Sequence, residues 1–300
     1  MIHGHRFLFA DETGLQQAYD ALYGIETEHA PLITVSQTAD SSFLTVFPER
    51  SEWLPLSGQE GRYLSPVPFD RIDADSPWAL EIKNVLTLLW EPEKANISYL
   101  KATDYTPQRL RFWVFHTFFP MVLELGKIYR MLHVGAMEIA GRPILFSAPS
   151  FGGKSTLTDF FVRKGHPLYA DDSLAIEKEG HHYIAWPSYP YHRPYRDPEV
   201  LGHPAENMAK TPKPVHALYL LEKSDSKAQV QITECRGIEK FQAFHYANFI
   251  NFSFRKKERF DYFTEMAKHV PAYQISIPWD KERLPEVYEA IVKHTENGSI

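Results

Sequence analysis

Apolar positions in the first part of the chain follow two rhythms. Runs rich in β-branched and aromatic residues at Arg6-Phe7-Leu8-Phe9, at 31–35 and at Phe43-Leu44-Thr45-Val46-Phe47 are bounded by polar turns and read as strands. Asp11-Glu12-Thr13 followed by Leu15, Ala18 and Leu22 predicts a short helix with acidic residues at its start. The Pro, Gly, Ser and Asp between 50 and 75 predict irregular chain. From Trp78 to Trp90 the spacing of Leu80, Ile82, Val85, Leu86, Leu88 and Leu89 suits a helix, although its second half is apolar nearly all round. A longer helix is predicted over 107–128, opened by Pro107 and stopped by Gly126, with Leu110, Phe112, Phe115, Phe119, Val122 and Leu125 in an apolar stripe. Trp53, Trp78 and Trp90 read as core rather than as a pocket, and His116 as a structural residue.

Beyond 126 short apolar strands alternate with helices. Strands are expected at 129–132, at 136–139 and, after the turn Ala140-Gly141-Arg142, over Pro143-Ile144-Leu145-Phe146. A helix with Leu157, Phe160 and Phe161 on one face ends at Lys164-Gly165, and a short strand then runs to Asp171-Asp172. Further strands at 215–221, 230–232 and 272–277, the last an edge strand ended by Pro278, and helices at 237–252, 260–269 and 284–294 read as scaffold. The expected organisation is a smaller α+β domain over 1–125, serving a substrate or partner, and an α/β nucleotide-binding domain over 126–300.

Composition narrows the class. With 44% hydrophobic and 14% aromatic residues the chain can bury a sizeable core. A net charge of −6 without a basic run argues against a nucleic-acid partner. Cys235 stands alone, which excludes an internal disulfide or a cysteine-based metal site and points to a reducing, cytoplasmic setting. No apolar segment suits export or membrane spanning, so no membrane partner is expected; a homo-oligomer is left open.

Two stretches carry chemistry. In Phe146-Ser147-Ala148-Pro149-Ser150-Phe151-Gly152-Gly153-Lys154-Ser155-Thr156 an apolar strand stops in a small-residue loop and restarts as a helix. That arrangement aims backbone N–H groups at an anion at the helix N-terminus. Ser150, Phe151, Gly152, Gly153, Lys154, Ser155 and Thr156 would cradle nucleotide phosphates, with Lys154 on the β- and γ-phosphates and the Ser155 hydroxyl on Mg²⁺. Ala148 occupies the position where the usual GxxxxGK[ST] pattern has its first glycine. The plainer reading is a glycine-rich turn that binds nothing. Asp171 and Asp172, at a strand end, can divide the work of phosphoryl transfer, one holding the metal and the other accepting a proton; the plainer reading there is an acidic turn. His181, His182, His203 and His245 lack paired spacing, so no metal site is expected from them.

Leu132-His133, the loop through Thr156, and Lys164-Gly165-His166 leading to Ala170-Asp171-Asp172 together resemble the catalytic domain of bacterial HPr kinase/phosphorylase. They resemble more closely its shorter relatives, the HPr-kinase-like serine kinases, including those that phosphorylate the C-terminal serine of lasso-peptide precursors. The resemblance covers about 126–300, strongly to about 180. It implies a P-loop kinase domain of the HPr kinase / PEP carboxykinase type with a mixed sheet, using ATP and Mg²⁺. It further implies His133 beside the γ-phosphate, Asp171 as the metal-linked carboxylate, Asp172 as the general base, and a serine of a peptide or protein as acceptor. The glycine-rich segment that HPr kinase/phosphorylases carry beyond the acidic pair is replaced by Trp186-Pro187-Ser188-Tyr189-Pro190-Tyr191-His192-Arg193-Pro194-Tyr195-Arg196, which points away from HPr itself. That stiff segment is either a substrate contact, with Arg193 and Arg196 offering forked donors to a phosphate or carboxylate, or a surface loop. A kinase of a small hydroxylated metabolite and a nucleotide-binding regulatory module without turnover remain as alternatives.

Overall fold

A computed structural model describes residues 1–23, 29–149, 151–194 and 197–298. They form two compact units, Met1–Arg130 with Asp197–Leu201, and Met131–Arg196 with Gly202–Ile300. Both are mixed α/β.

The first unit is built on one sheet ordered Arg6–Phe9, Leu32–Gln37, Asn96–Lys101, Leu86–Glu91, Trp78–Ile82, Gln59–Ser65, Glu49–Arg50, with Leu54–Leu56 also paired to Gln59–Ser65. The first two pairings are parallel and the rest antiparallel. Three expectations fail here, each for a physical reason. Phe43–Val46 is a single helical turn rather than a strand: Asp40 accepts the Ser42 N–H at its start, and buried Phe43 and Phe47 share a face at i, i+4. The stretch taken as irregular holds the hairpin Leu54–Leu56/Gln59–Ser65, turned by Ser57 and Gly58 at φ +49° and +87°, the signature of a primed turn. The stretch taken as a helix is the hairpin Trp78–Ile82/Leu86–Glu91. Its apolar character on all sides reflects strands buried on both faces, and Asn84, at φ +63°, makes the turn.

The long helix is present as Pro107–Phe112, a wider π-helical stretch over Trp113–Phe118, and Phe119–Leu125. Pro120 has no N–H to give the preceding turn, and the Phe119 N–H reaches back five residues to the Val114 carbonyl. Its stripe is core: Phe7 meets Phe115 and Phe119 edge-on at 4.9 and 4.8 Å, and Phe118 packs on Trp78 at 4.6 Å. His116 is buried against Phe112, as a structural residue should be. Within this unit Glu199 accepts from Arg109 Nε at 2.8 Å, Trp113 Nε1 at 2.6 Å and Gln59 Nε2 at 2.9 Å.

In the second unit a six-stranded mixed sheet runs Leu168–Ala170, Gly135–Ile139, Arg142–Ser147, Ala217–Ser224, Ala272–Pro278, Gln231–Glu234. Arg142–Ser147, Ala217–Ser224 and Ala272–Pro278 are parallel. Ala272–Pro278 is therefore interior rather than an edge, because Gln231–Glu234 pairs antiparallel along its other side. The central strand is covered on both faces. Ile144 and Phe146 join Phe161, Val287 and Ile291 on one side, while Leu145 joins Phe244, Phe263 and Met266 on the other, which is why it reads as an unbroken apolar run. The helix Gly237–Tyr246 stops earlier than its apolar pattern suggests, since the Ala247 carbonyl is claimed by the His133 N–H at 2.7 Å and Asn248 bridges to Leu132. Among the described residues no helix is long and apolar enough to cross a membrane.

Candidate functional site

The strand Arg142–Ser147 delivers the chain into a tight loop in front of the helix Lys154–Arg163. The Gly152 N–H donates to the Pro149 carbonyl at 2.8 Å, and a Cβ at Gly152 would stand 2.6 Å from the Ala148 Cβ. Gly152 is thus obligatory, and the crowding atom belongs to the alanine that replaces the pattern's first glycine. Phe151 and Gly153 take left-handed φ values of +62° and +90°, and Gly153 caps the helix without a side chain. No acidic residue lies in the helix's first turn, and its N-terminal residues Lys154, Ser155 and Thr156 line the cavity, so the helix's positive dipole end is directed at it. Ser150 lies outside the described residues. Gly152, Gly153, Lys154, Ser155 and Thr156 line a cavity of about 740 Å³, with Phe151, His133, Arg193, Tyr246 and Trp279.

The acidic pair arrives from the end of Leu168–Ala170. Lys154, itself buried, donates from Nζ to the Asp171 carbonyl at 2.8 Å and lies 3.9 Å from Asp172 Oδ1. His133 Nδ1 sits 3.1 Å from the same Oδ1 and 3.0 Å from the Asp172 carbonyl. The strand end carrying Leu132-His133, the loop helix and the acidic turn therefore meet at one point. The two carboxylates differ in exposure: Asp171 is 3% exposed, whereas the side chain of Asp172 keeps 17%. Burial pushes the Asp171 carboxyl up; Lys154 and the Arg193 N–H pull it partly back, and Asp172 pushes it up again. The Arg193 N–H donates to Asp171 Oδ2 at 2.6 Å, while Oδ1 is buried with no hydrogen-bond partner among the described residues. A buried carboxylate oxygen with no donor among the described residues fits a metal ligand, and Ser155, in the first turn of the helix, offers a second hard oxygen at the cavity wall.

Arg193 reaches this site through its backbone as well as by lining the cavity; Arg196 lies outside the described residues. Two glycines that sequence reading passed over fix the geometry. At Gly135 a Cβ would meet Thr158 Oγ1 at 2.2 Å and Lys154 Cγ at 3.4 Å, so the loop helix can lie on this strand only because the position is bare. A glycine inside a strand pattern is the one signal that could have marked it. At Gly202, φ +96°, a Cβ would stand 2.2 Å from the His192 carbonyl and 2.8 Å from Arg193 Cγ, so the returning chain presses directly on the segment that serves Asp171.

Among the described residues, His181, Glu265 and His269 form one cluster with donor atoms within 4.8 Å of one another, a grouping across distant segments that spacing along the chain does not show. There the Glu265 carboxylate is already engaged by Lys268 at 2.7 Å and His269 at 3.1 Å, which hold it down at about 2.

No family model matches the chain. No curated protein matches it either. Among solved structures, the Hpr(Ser) kinase/phosphatase from Coxiella burnetii is similar over 56% of this chain and 96% of that one, at 14% identity and a TM-score of 0.34.

Proposed function

We propose that this chain is an ATP- and Mg²⁺-dependent phosphotransferase that moves the γ-phosphoryl group to a serine hydroxyl of a peptide or protein, with the C-terminal serine of a lasso-peptide precursor as the specific case. The observation that carries the reading is that His133 and Lys154, which line a cavity of about 740 Å³ at the N-terminus of one helix, both meet Asp172 just behind that lining, next to the buried Oδ1 of Asp171, which has no donor among the described residues.

The reaction asks the protein for position and charge more than for covalent chemistry. The loop N–H groups and Lys154 hold the β- and γ-phosphates, in a buried setting where each donor contributes more than it would in water. Asp171 Oδ1 and the Ser155 hydroxyl are the groups that would hold Mg²⁺, which when bound neutralises phosphate charge. Asp172 is the carboxylate that an incoming hydroxyl can reach, because Asp171 is buried. Asp172 takes the acceptor's proton as the new O–P bond forms and the bond to ADP breaks. His133, 3.1 Å from Asp172 Oδ1, fixes the orientation of that carboxylate. Arg193, at the cavity wall, is placed to meet a carboxylate on the acceptor with its guanidinium.

The test is transfer of labelled phosphate from Mg²⁺-ATP to serine peptides with free or amidated C-termini. Asp172→Asn should leave ATP affinity within a few-fold and lower the transfer rate roughly a hundredfold, the expected cost of a lost base. Binding of ATP by the wild-type chain with no transfer to any hydroxyl would reduce the protein to a nucleotide-binding module.

A further inference from the structure

Beside the phosphate cavity lies a second, smaller cleft of about 140 Å³, walled by Thr156, Leu157, Ile277, Pro278, Leu284 and Trp279. Gly153, Thr156 and Trp279 line both spaces, so the two adjoin at the first turn of the loop helix. A nearly apolar cavity of roughly 150 Å³ is large enough to admit one aromatic ring.

Trp279 is unusual for its place. It follows directly on the interior strand Ala272–Pro278, yet it is 50% exposed, where a large apolar side chain at such a position is ordinarily covered. It is nonetheless held in place. Its backbone N–H donates to the Ser224 carbonyl at 3.2 Å, Lys223 Nζ stands over the indole 3.8 Å from the ring centroid, and a Cβ built on Gly153 would lie 3.3 Å from its Cζ3. The turn after it is fixed by Asp280 Oδ1, which accepts the Glu282 N–H at 2.9 Å. A half-exposed indole against the glycine that caps this helix offers an aromatic face beside the phosphate site.

We propose that this cleft receives the heterocyclic base of the nucleoside triphosphate, stacked on Trp279. The inference rests on the phosphate site assigned above and adds to it the feature that makes the donor a nucleotide rather than any polyphosphate. A nucleoside triphosphate whose phosphates are held at Gly153–Thr156 carries its base on a ribose, and the mostly apolar cleft shares Gly153 and Thr156 with that phosphate site.

The experiment measures binding of ATP and of inorganic tripolyphosphate, each with Mg²⁺, to the full chain and to Trp279→Ala and Trp279→Phe. Trp279→Ala should weaken ATP roughly tenfold or more, the loss of one base–aromatic stack, and leave tripolyphosphate within about twofold. Trp279→Phe, which keeps a π-face, should hold ATP within a few-fold of wild type. Equal weakening of both ligands by Trp279→Ala would make the indole a prop for the Gly153 turn and overturn the proposal, as would unchanged ATP affinity. Failure of the wild-type chain to bind tripolyphosphate would overturn the phosphate site itself, and the base cleft with it.

Discussion

Asp171 is held in a state that costs stability. Its carboxyl is buried, pushed up by that burial, and left with one oxygen that no donor among the described residues satisfies. Residues kept in such a condition are commonly those on which function depends, and here removing the burden should separate stability from activity. Asp171→Asn keeps an acceptor for the Arg193 N–H and removes the buried charge. It is expected to raise Tm by roughly 2–5 °C and, on the proposed function, to abolish phosphate transfer and the further rise in Tm expected of Mg²⁺-ATP with the wild-type chain. Thermal scans with and without Mg²⁺-ATP check this; a fall in Tm on substitution would mean that the carboxylate serves mainly to order the Arg193 segment.

The loop helix depends on the strand beneath it. Gly135→Ala would drive a methyl into Thr158 Oγ1 at 2.2 Å, a buried contact that costs about 1–3 kcal/mol unless the helix shifts, and a shift would carry Lys154 with it. Adding Thr158→Ala removes that oxygen and leaves the nearest neighbours at 3.4 and 3.5 Å, so the double variant should recover most of the lost stability and nucleotide affinity. Chemical denaturation of the single and double variants tests the coupling. These two glycine-dependent contacts, at Gly135 and Gly202, were not legible in the sequence, because close approach of backbone depends on a partner far along the chain. The strand, loop and helix around Lys154 were legible, since they are contiguous and the apolar run Ile144–Phe146 marks a strand covered on both faces. The same logic misled at Trp78–Trp90, where a hairpin buried on both sides shows no period of two to set it apart from a helix. Phe43–Val46 failed in the opposite direction: its β-branched and aromatic content outweighed the i, i+4 pairing of Phe43 and Phe47. The acidic pair could be placed at a strand end, but which carboxylate is buried is a property of packing that only the fold reveals.

At the scale of the whole molecule, the segment Asp197–Leu201 belongs to the first unit although its neighbours on both sides belong to the second. Glu199, at φ +54°, is the peg: its left-handed backbone is tolerated because Arg109, Trp113 and Gln59 all donate to its carboxylate. Burial pushes that carboxyl up, but the three donors outweigh it and hold it below the usual glutamate range. A depressed folded-state value means that the stabilisation is present above the unfolded value near 4.5 and is lost as pH falls through the folded one. Glu199→Gln should therefore destabilise the chain by roughly 1–2 kcal/mol at neutral pH, with the difference from wild type closing as the solution is acidified below about pH 4.5, read from Tm against pH. The peg also bears on how such a chain can be inherited. Because the backbone passes between the units at 130–131, 196–197 and 201–202, the second unit is not a contiguous cassette. Recombination that moved 131–300 into another gene would carry with it a short segment whose glutamate has left its three donors behind.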